Sequence, residues 1–260
     1  MRKRYAICCY LLCSLFLSTT GFAQAQHVEN PLNYGLRSAF NYSTITGLGT
    51  TILSEPYFIN YSMKEKNRYG WGLLGFINYR AIDALALEME IGYSQQGGDL
   101  NFNNYEKDFN YRMQFKYQYL NLHGRLKLYP FNLIDAAANN EQPFKNGLFI
   151  AGGLQVGANL GNDNIVYTSG GTGRMAAFGS DLDQQQQIRN VIKGGTNAGA
   201  CFAAGFEFPD CGVAIDFRYY FSLTDVVKTQ ANSYNFIETT NTNKVLQFTI
   251  SYDFSKFSGN

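Results

Sequence analysis

Charge is scarce in this 260-residue chain, at 16% Asp, Glu, Lys and Arg, against roughly 25% in an ordinary soluble domain. Proline occurs five times, histidine twice and tryptophan once. Beyond the N-terminus no stretch approaches the ~18 consecutive apolar residues of a spanning helix, which excludes a helical membrane protein. No HExxH, CxxC, P-loop or GxSxG pattern occurs, so zinc hydrolase, nucleotide enzyme and α/β-hydrolase chemistry have no support. Neither a catalytic set, a cofactor nor a metal is expected. What is plentiful is Tyr (19), Phe (21) and Gly (26), a composition that argues against disorder and coiled coil.

Met1 to Ala25 reads as a secretory signal. Arg2-Lys3-Arg4 is the positive start, and Ala6 to Leu17 is an apolar run broken only by Ser14. Cleavage is expected after Ala23 or Ala25, leaving 26–260 as one domain. Losing the three leader cations takes the net charge from +1 to −2, which makes no electrostatic case for nucleic acid. Three of five cysteines leave with the leader. Cys201 and Cys211 remain, and a bridge is not expected: a strand over 198–208 puts Cys201 roughly 25 Å from the turn holding Cys211, at about 3.3 Å per residue.

The rest of the chain repeats one pattern, nine to eleven residues of strict alternation followed by a turn or loop. The windows are 34–42, 69–79, 85–93, 118–128, 148–158, 198–208, 213–221 and 244–254. One parity is apolar and aromatic in every window, as in Leu85, Leu87, Met89, Ile91 and Tyr93. Ten charges fall in the windows, and nine lie on the opposite parity: Arg37, Glu88, Glu90, Arg125, Lys127, Glu207, Asp216, Arg218 and Asp253. The tenth, Lys244, opens its window and suits a rim.

A soluble sandwich and a membrane barrel both alternate in this way. Strand length decides between them, because nine to eleven residues match a tilted crossing of hydrocarbon while soluble strands peak near five or six. Aromatics at window ends resemble interfacial girdles. Gly and Ala crowd the polar parity, as a cramped lumen requires. The expected fold is therefore all-β, an eight-stranded antiparallel transmembrane β-barrel with short periplasmic turns and long extracellular loops, in the outer membrane. The gaps between windows run 26, 5, 24, 19, 39, 4 and 22 residues. With a periplasmic N-terminus the first, third, fifth and seventh become extracellular, although the fourth is long for a turn. In the 39-residue gap, Ser180 with Asp183 three residues on predicts a capped helix that Gly194-Gly195 ends, with Gln184 to Gln187 as polar filler.

Three segments resemble the PorT-like outer-membrane β-barrel family. Glu90-Ile91-Gly92-Tyr93-Ser94-Gln95-Gln96-Gly97-Gly98 is similar to its acidic-x-x-Tyr-Ser-x-x-Gly segment. Tyr119-Leu120-Asn121-Leu122 through Lys127-Leu128-Tyr129 is similar to its fourth strand, with His123 where the family has Pro. Asp216-Phe217-Arg218-Tyr219 and Leu223-Thr224-Asp225 resemble its seventh strand, with Ser222 in place of Gly. The resemblance implies a barrel without chemistry of its own, and some relatives are tied to protein secretion across the outer membrane.

The nine inward charges form the candidate site, a structural polar cluster in the lumen. Paired, they are a hydrogen-bonded core; unpaired, they would line a narrow pore, which fights the width of an eight-stranded barrel. His27 lies in the N-terminal segment. His123 lies on the lumen parity and is expected to be an interior histidine rather than the base of a lipid-modifying enzyme, since no serine stands two residues on. Outer-membrane lipid (lipopolysaccharide) is the expected surrounding partner. The long loops, rich in Tyr, Asn, Gly and Ser, would hold any contact with an envelope protein.

Overall fold

The computed structural model describes residues 31–49, 61–106, 108–137, 147–161, 165–171, 180–208, 210–229 and 240–257. The expected leader and cleavage site, and His27, lie outside the described residues. In chain order the strands are β1 (Leu32–Thr46), β2 (Tyr61–Lys66), β3 (Arg68–Ile82), β4 (Leu85–Asn104) and β5 (Phe109–Leu128). Helix α1 (Pro130–Ala137) precedes β6 (Leu148–Asn159) and β7 (Ile165–Gly170), and helix α2 (Asp181–Val191) runs into β8 (Ile192–Gly194). Strands β9 (Asn197–Phe208), β10 (Val213–Ser222), β11 (Val227–Thr229) and β12 (Thr242–Asp253) complete the chain, and a 3₁₀ turn spans Phe254–Phe257.

Eight strands close into an antiparallel ring in the order β1-β3-β4-β5-β6-β9-β10-β12. Closure joins β1 to β12 from Gly35↔Asp253 to Thr46↔Thr242. A closed sheet satisfies every ladder group within itself, which lipid demands. All eight expected windows fall on these ring strands, the last overrunning β12 by Phe254. The apolar parity faces outward, with Leu36, Leu73, Met89, Leu122, Ile150, Phe217 and Leu246 all exposed on the barrel wall. Rings gather near both ends of that wall. Tyr69 lies 5.6 Å from Phe40 and 5.2 Å from Tyr42, and Trp71 lies 5.0 Å from Tyr93. At the other end Phe254 meets Tyr34 and Tyr252 at 6.4 and 5.8 Å.

Several expectations needed correction. The third gap is mostly not a loop: β4 and β5 are each 20 residues long and stay paired out to Asn104↔Phe109. The fourth gap begins with α1, whose Phe131, Leu133 and Ile134 are exposed beside the periplasmic rim. Asn132 there donates to the Asp83 carbonyl at 3.1 Å, anchoring the helix to the β3–β4 turn.

Where β4 and β5 leave the barrel, the faces exchange character. In β4 the outward residues change from Ile91 and Tyr93 to Asp99, Asn101 and Asn103, while Leu100 and Phe102 turn inward and are buried. In β5 the outward residues change from Leu122 and Leu120 to Gln118, Lys116, Gln114 and Arg112, while Tyr119, Tyr117, Phe115 and Met113 are buried. Lipid wants the apolar side out; water wants it in. Strand β2 adds to the outer edge of β4 and β7 to that of β5, giving an extracellular four-stranded sheet, β2-β4-β5-β7.

This sheet curls over the barrel mouth. Asn41 donates to the Gln95 carbonyl at 2.8 Å, and the Gly97 amide donates to the Ser43 hydroxyl at 2.9 Å. Gly97 has φ +150°, and a Cβ there would lie 1.8 Å from the Phe115 carbonyl oxygen, so only glycine makes the bend. Beneath the sheet, Ile45, Leu48, Leu100, Phe115, Ile165, Ile188, Ile192, Val226 and Val227 pack into an apolar core.

Helix α2 closes the side of that core. Its N-terminus is the expected capping box: the Asp183 amide donates to the Ser180 hydroxyl at 3.2 Å, and the Ser180 amide donates back to the Asp183 carboxylate at 3.0 Å. The helix stops at Val191, three residues before Gly194, because Ile192 turns extended and opens β8, which pairs with β11. Gln184, expected as polar filler, is buried together with Ile188.

Candidate functional site

Below the mouth the lumen is filled in layers. Adjacent inward positions on a barrel strand lie two residues apart, so residues of one layer come from different strands at matching height. The lowest layers hold the expected charges. Arg37 comes from β1, Glu88 and Glu90 from β4, Arg125 and Lys127 from β5, Glu207 from β9, and Asp216 and Arg218 from β10.

Glu88 is the hub. It accepts Arg37 Nη1 at 2.9 Å and Arg37 Nη2 at 3.2 Å, pairs with Lys127 Nζ at 2.6 Å, and also holds Arg125. Glu90 is 2.9 Å from Arg125 Nη2, meets Arg37, and accepts Arg218 Nη1 and Nη2 at 2.7 and 3.1 Å. Asp216 accepts Arg218 Nη2 at 3.0 Å and a second bond from its Nε. Lys127 also reaches Glu207 at 2.9 Å, and the Tyr129 hydroxyl donates to the same oxygen at 2.9 Å. The Arg37 guanidinium lies 4.8 Å from the Phe76 ring centre and Lys127 lies 4.6 Å from that of Phe149.

The ninth expected member, Asp253, stands apart. It is half-buried at the periplasmic rim, where its carboxylate accepts the Ser255 amide at 2.9 Å and the Ser255 hydroxyl at 2.6 Å, starting the 3₁₀ turn. Its parity was right, but the strand ends there and the next turn takes the carboxylate. Without it the cluster holds four acids (Glu88, Glu90, Glu207, Asp216) and four bases (Arg37, Arg125, Lys127, Arg218), and the lumen charge balances. Burial of these ions is tolerable only with such pairing. Arg37, Arg125 and Arg218 are 1% exposed and Lys127 2%, so at this level the lumen is filled by side chains. Glycine makes the room: a Cβ on Gly153 would sit 2.8 Å from Arg125 Cγ, and one on Gly205 2.5 Å from Asp216 Cβ.

Above the charges lies a layer of amides that charge counting missed. Gln247 donates to Asn41 at 2.7 Å; Asn121 and Gln96 donate to the Ser94 hydroxyl at 2.7 and 2.9 Å. Asn197 and Asn243 both donate to the Gln96 carbonyl oxygen, at 3.0 and 2.6 Å. All are buried. The signal for them was the same inward parity, carried by neutral residues.

His123 sits between the charge and amide layers, 2% exposed. Its Nδ1 is 3.1 Å from the Tyr220 hydroxyl, and its Nε2 meets no protein partner among the described residues. It faces a tyrosine and Glu90, not a serine, and is sealed from lipid by the barrel wall. Cys201 is buried, Cys211 is exposed at the periplasmic turn, and both are free. Among the described residues no group of three or more His, Cys, Asp or Glu side chains is arranged to hold a metal ion.

Residues 22–228 match the family described as outer membrane protein beta-barrel domain. The chain belongs to that family. It is an outer-membrane β-barrel protein, and the closed ring and apolar wall are what that setting requires. No curated protein matches the sequence. Among solved structures, this family barrel is similar to the outer membrane protein OprG from Pseudomonas aeruginosa at 14% identity and TM-score 0.37, covering 86% of this chain and 94% of that one. Neisserial surface protein A is similar at 10% identity and TM-score 0.34, with 85% and 97% covered. The attachment invasion locus protein Ail of Yersinia pestis, solved with the heparin analogue sucrose octasulfate, is similar at 10% identity and TM-score 0.32, with 86% and 99% covered.

Proposed function

We propose that this protein is a non-enzymatic barrel of the PorT-like kind, whose membrane part anchors an extracellular platform that docks a protein of the envelope, as an accessory subunit of an envelope or secretion complex. The observation that supports this is the four-stranded extracellular sheet, with a core and a capped helix of its own. Anchoring alone needs none of it, and surface segments carried by a rigid scaffold are where recognition concentrates. The filled lumen speaks against a solute pore, and the enclosed His123–Tyr220 pair speaks against a lipid hydrolase. Exposed apolar side chains at the platform, Tyr105 at the β4–β5 tip and Leu182 at the start of α2, are natural contact points.

A photo-crosslinking amino acid placed at Tyr105 or Leu182 in intact cells tests the reading. A discrete adduct with one envelope protein is expected at one or both positions. Absence of any protein adduct at either position would refute it. So would altered lipid A acylation in a deletion strain that His123→Ala reproduces.

A further inference from the structure

The outward face of the extracellular sheet carries charge of almost one sign. Met63 and Phe115 pack on the apolar core, so by strand alternation Lys64, Lys66 and Lys116 project from the opposite face. Arg68 and Arg112 lie on that same face, where both pair with Asp99. Asp99 is the one acid on this face among the described residues, with its side chain 4% exposed and already shared between two arginines. Glu65 points the other way and accepts the Gly49 amide at 3.2 Å. Lys64, Lys66 and Lys116 make no ion pair among the described residues. Five bases against one enclosed acid leave a strongly cationic surface.

Register makes it compact. Lys66 and Gln114 flank Asp99 on either side, and Lys64 and Arg112 flank Asn101, one rung further from the barrel. With neighbouring strands about 4.8 Å apart, each flanking pair spans roughly 10 Å. The face also continues a particular side of the barrel. Outward positions on β4 and β5 that are apolar below (Ile91, Tyr93, Leu122, Leu120) are the ones that become polar or basic above. Arg68 directly precedes Tyr69, whose ring belongs to the outer aromatic girdle. Lys66 and Lys64 lie two and four residues beyond Arg68, and Lys116 lies four beyond Leu120. At ~3.3 Å per residue and a tilt near 40°, Arg68, Lys66, Lys64 and Lys116 sit roughly 3–13 Å above the girdle, and Arg112 shares the rung of Lys64 through Asn101. The polar headgroup layer is about 5–8 Å deep on each side of the hydrocarbon. An acyl chain packed on Ile91 and Leu120 would therefore carry its headgroup up against these cations.

We propose that Lys64, Lys66, Arg68, Arg112 and Lys116 form a binding site for the phosphate groups of an outer-leaflet glycolipid of the lipid A class, seated against the β2-β4-β5 face. Asp99 holds Arg68 and Arg112 in place, and the three lysines supply flexible point charges to the phosphates. The site lies on the outward face of the sheet, above the lipid-facing wall of β4 and β5, and is separate from the protein-docking positions at Tyr105 and Leu182. Either can stand without the other.

The test uses the purified full-length protein in a neutral detergent, titrated with bisphosphoryl lipid A, monophosphoryl lipid A and fully dephosphorylated lipid A. Inorganic phosphate and a soluble heparin oligosaccharide serve as competitors. Affinity is expected to fall in the order of phosphate content, and to weaken as salt rises from 0.05 to 0.5 M and the Debye length shrinks from about 14 to about 4 Å. The variant K64Q/K66Q/K116Q, which leaves the Asp99 pairs intact, is expected to bind bisphosphoryl lipid A roughly tenfold or more weakly, at a factor of about two to five per exposed contact. Substituting Lys193 and Lys228 by Gln on the β8–β11 pair is expected to change nothing. Equal binding of the phosphorylated and dephosphorylated lipids would overturn the proposal. An unchanged affinity in a triple variant that retains the heat-shifted gel mobility of a folded barrel would also overturn it, as would heparin binding with no lipid A binding. Should the triple variant not fold, the phosphate and salt series on the wild-type protein decides alone.

Discussion

Ser94 of β4 and Tyr119 of β5 stand directly opposite each other, and both side chains are buried. Beyond this rung both strands exchange their apolar and polar faces. It marks the level at which the barrel wall passes from lipid to water, written in side-chain polarity.

That boundary has a measurable consequence on one strand. Met89→Lys places a cation on the lipid face near mid-membrane and is expected to cost about 2–4 kcal/mol. Asn101→Lys, on the same parity of β4 but above the rung, is expected to cost no more than about 0.5 kcal/mol. Urea unfolding in phospholipid vesicles measures both. Equal costs would place the boundary elsewhere.

The charge cluster separates its members from the rim. Glu88→Gln leaves Arg37, Arg125 and Lys127 short of one buried anion, and a loss of about 3–5 kcal/mol is expected. Adding Lys127→Met to Glu88→Gln is expected to recover part of that loss, giving a coupling energy well above zero in a double-mutant cycle. Asp253→Asn, outside the cluster, is expected to cost less than about 1 kcal/mol by the same unfolding assay.

Thiol chemistry reports both topology and burial. In the folded protein in detergent, Cys211 is expected to react with a maleimide within minutes, while Cys201 reacts only after unfolding. In intact cells an impermeant maleimide is expected to label neither, because Cys211 faces the periplasm. A Cys201–Cys211 linked peptide in non-reducing mass spectra would contradict the register of β9 with β10.

Helix α2 carries a pH dependence at its cap. Hydrogen bonds from the Ser180 hydroxyl and amide hold the Asp183 carboxyl below its usual range. A depressed acid stabilises the fold above its unfolded pKa, near 3.9, and that contribution is lost as pH falls through the lower folded value. Protection of the Asp183 amide from hydrogen exchange, corrected for intrinsic rate, is therefore expected to be constant from pH 7 to about 4.5 and to drop below pH 4. Ser180→Ala is expected to abolish that step and lower the protection at every pH.

The barrel was legible in the sequence because one rule, apolar out and charge in, holds over all eight ring strands. The lumen ions followed from the same rule, and Asp253 departed from it only because it is the last residue of its strand. The extracellular sheet was illegible for a related reason. Demanding a single parity cuts β4 off at Tyr93, although Leu100 and Phe102 keep strict alternation in the reversed sense. Strands β2 and β7 are six residues each, and they owe their pairing to the edges of β4 and β5. The amide layer escaped because Asn41, Gln96, Asn121 and Gln247 carry no charge to draw attention to their parity.

Glu90 and Arg218 are 128 positions apart in the chain and sit on β4 and β10, which occupy diametrically opposite places in the ring of eight. Their two hydrogen bonds cross the full bore, and His123 on β5 reaches Tyr220 on β10 in the same direction. A thin-walled tube ordinarily yields by ovalising, since its hydrogen-bonded wall resists stretching far better than flattening. Cross-bracing removes that soft mode, because squeezing the section or pulling it open must first disturb a buried ion pair. At the level of the ion cluster the barrel is thereby stiffened against sideways load.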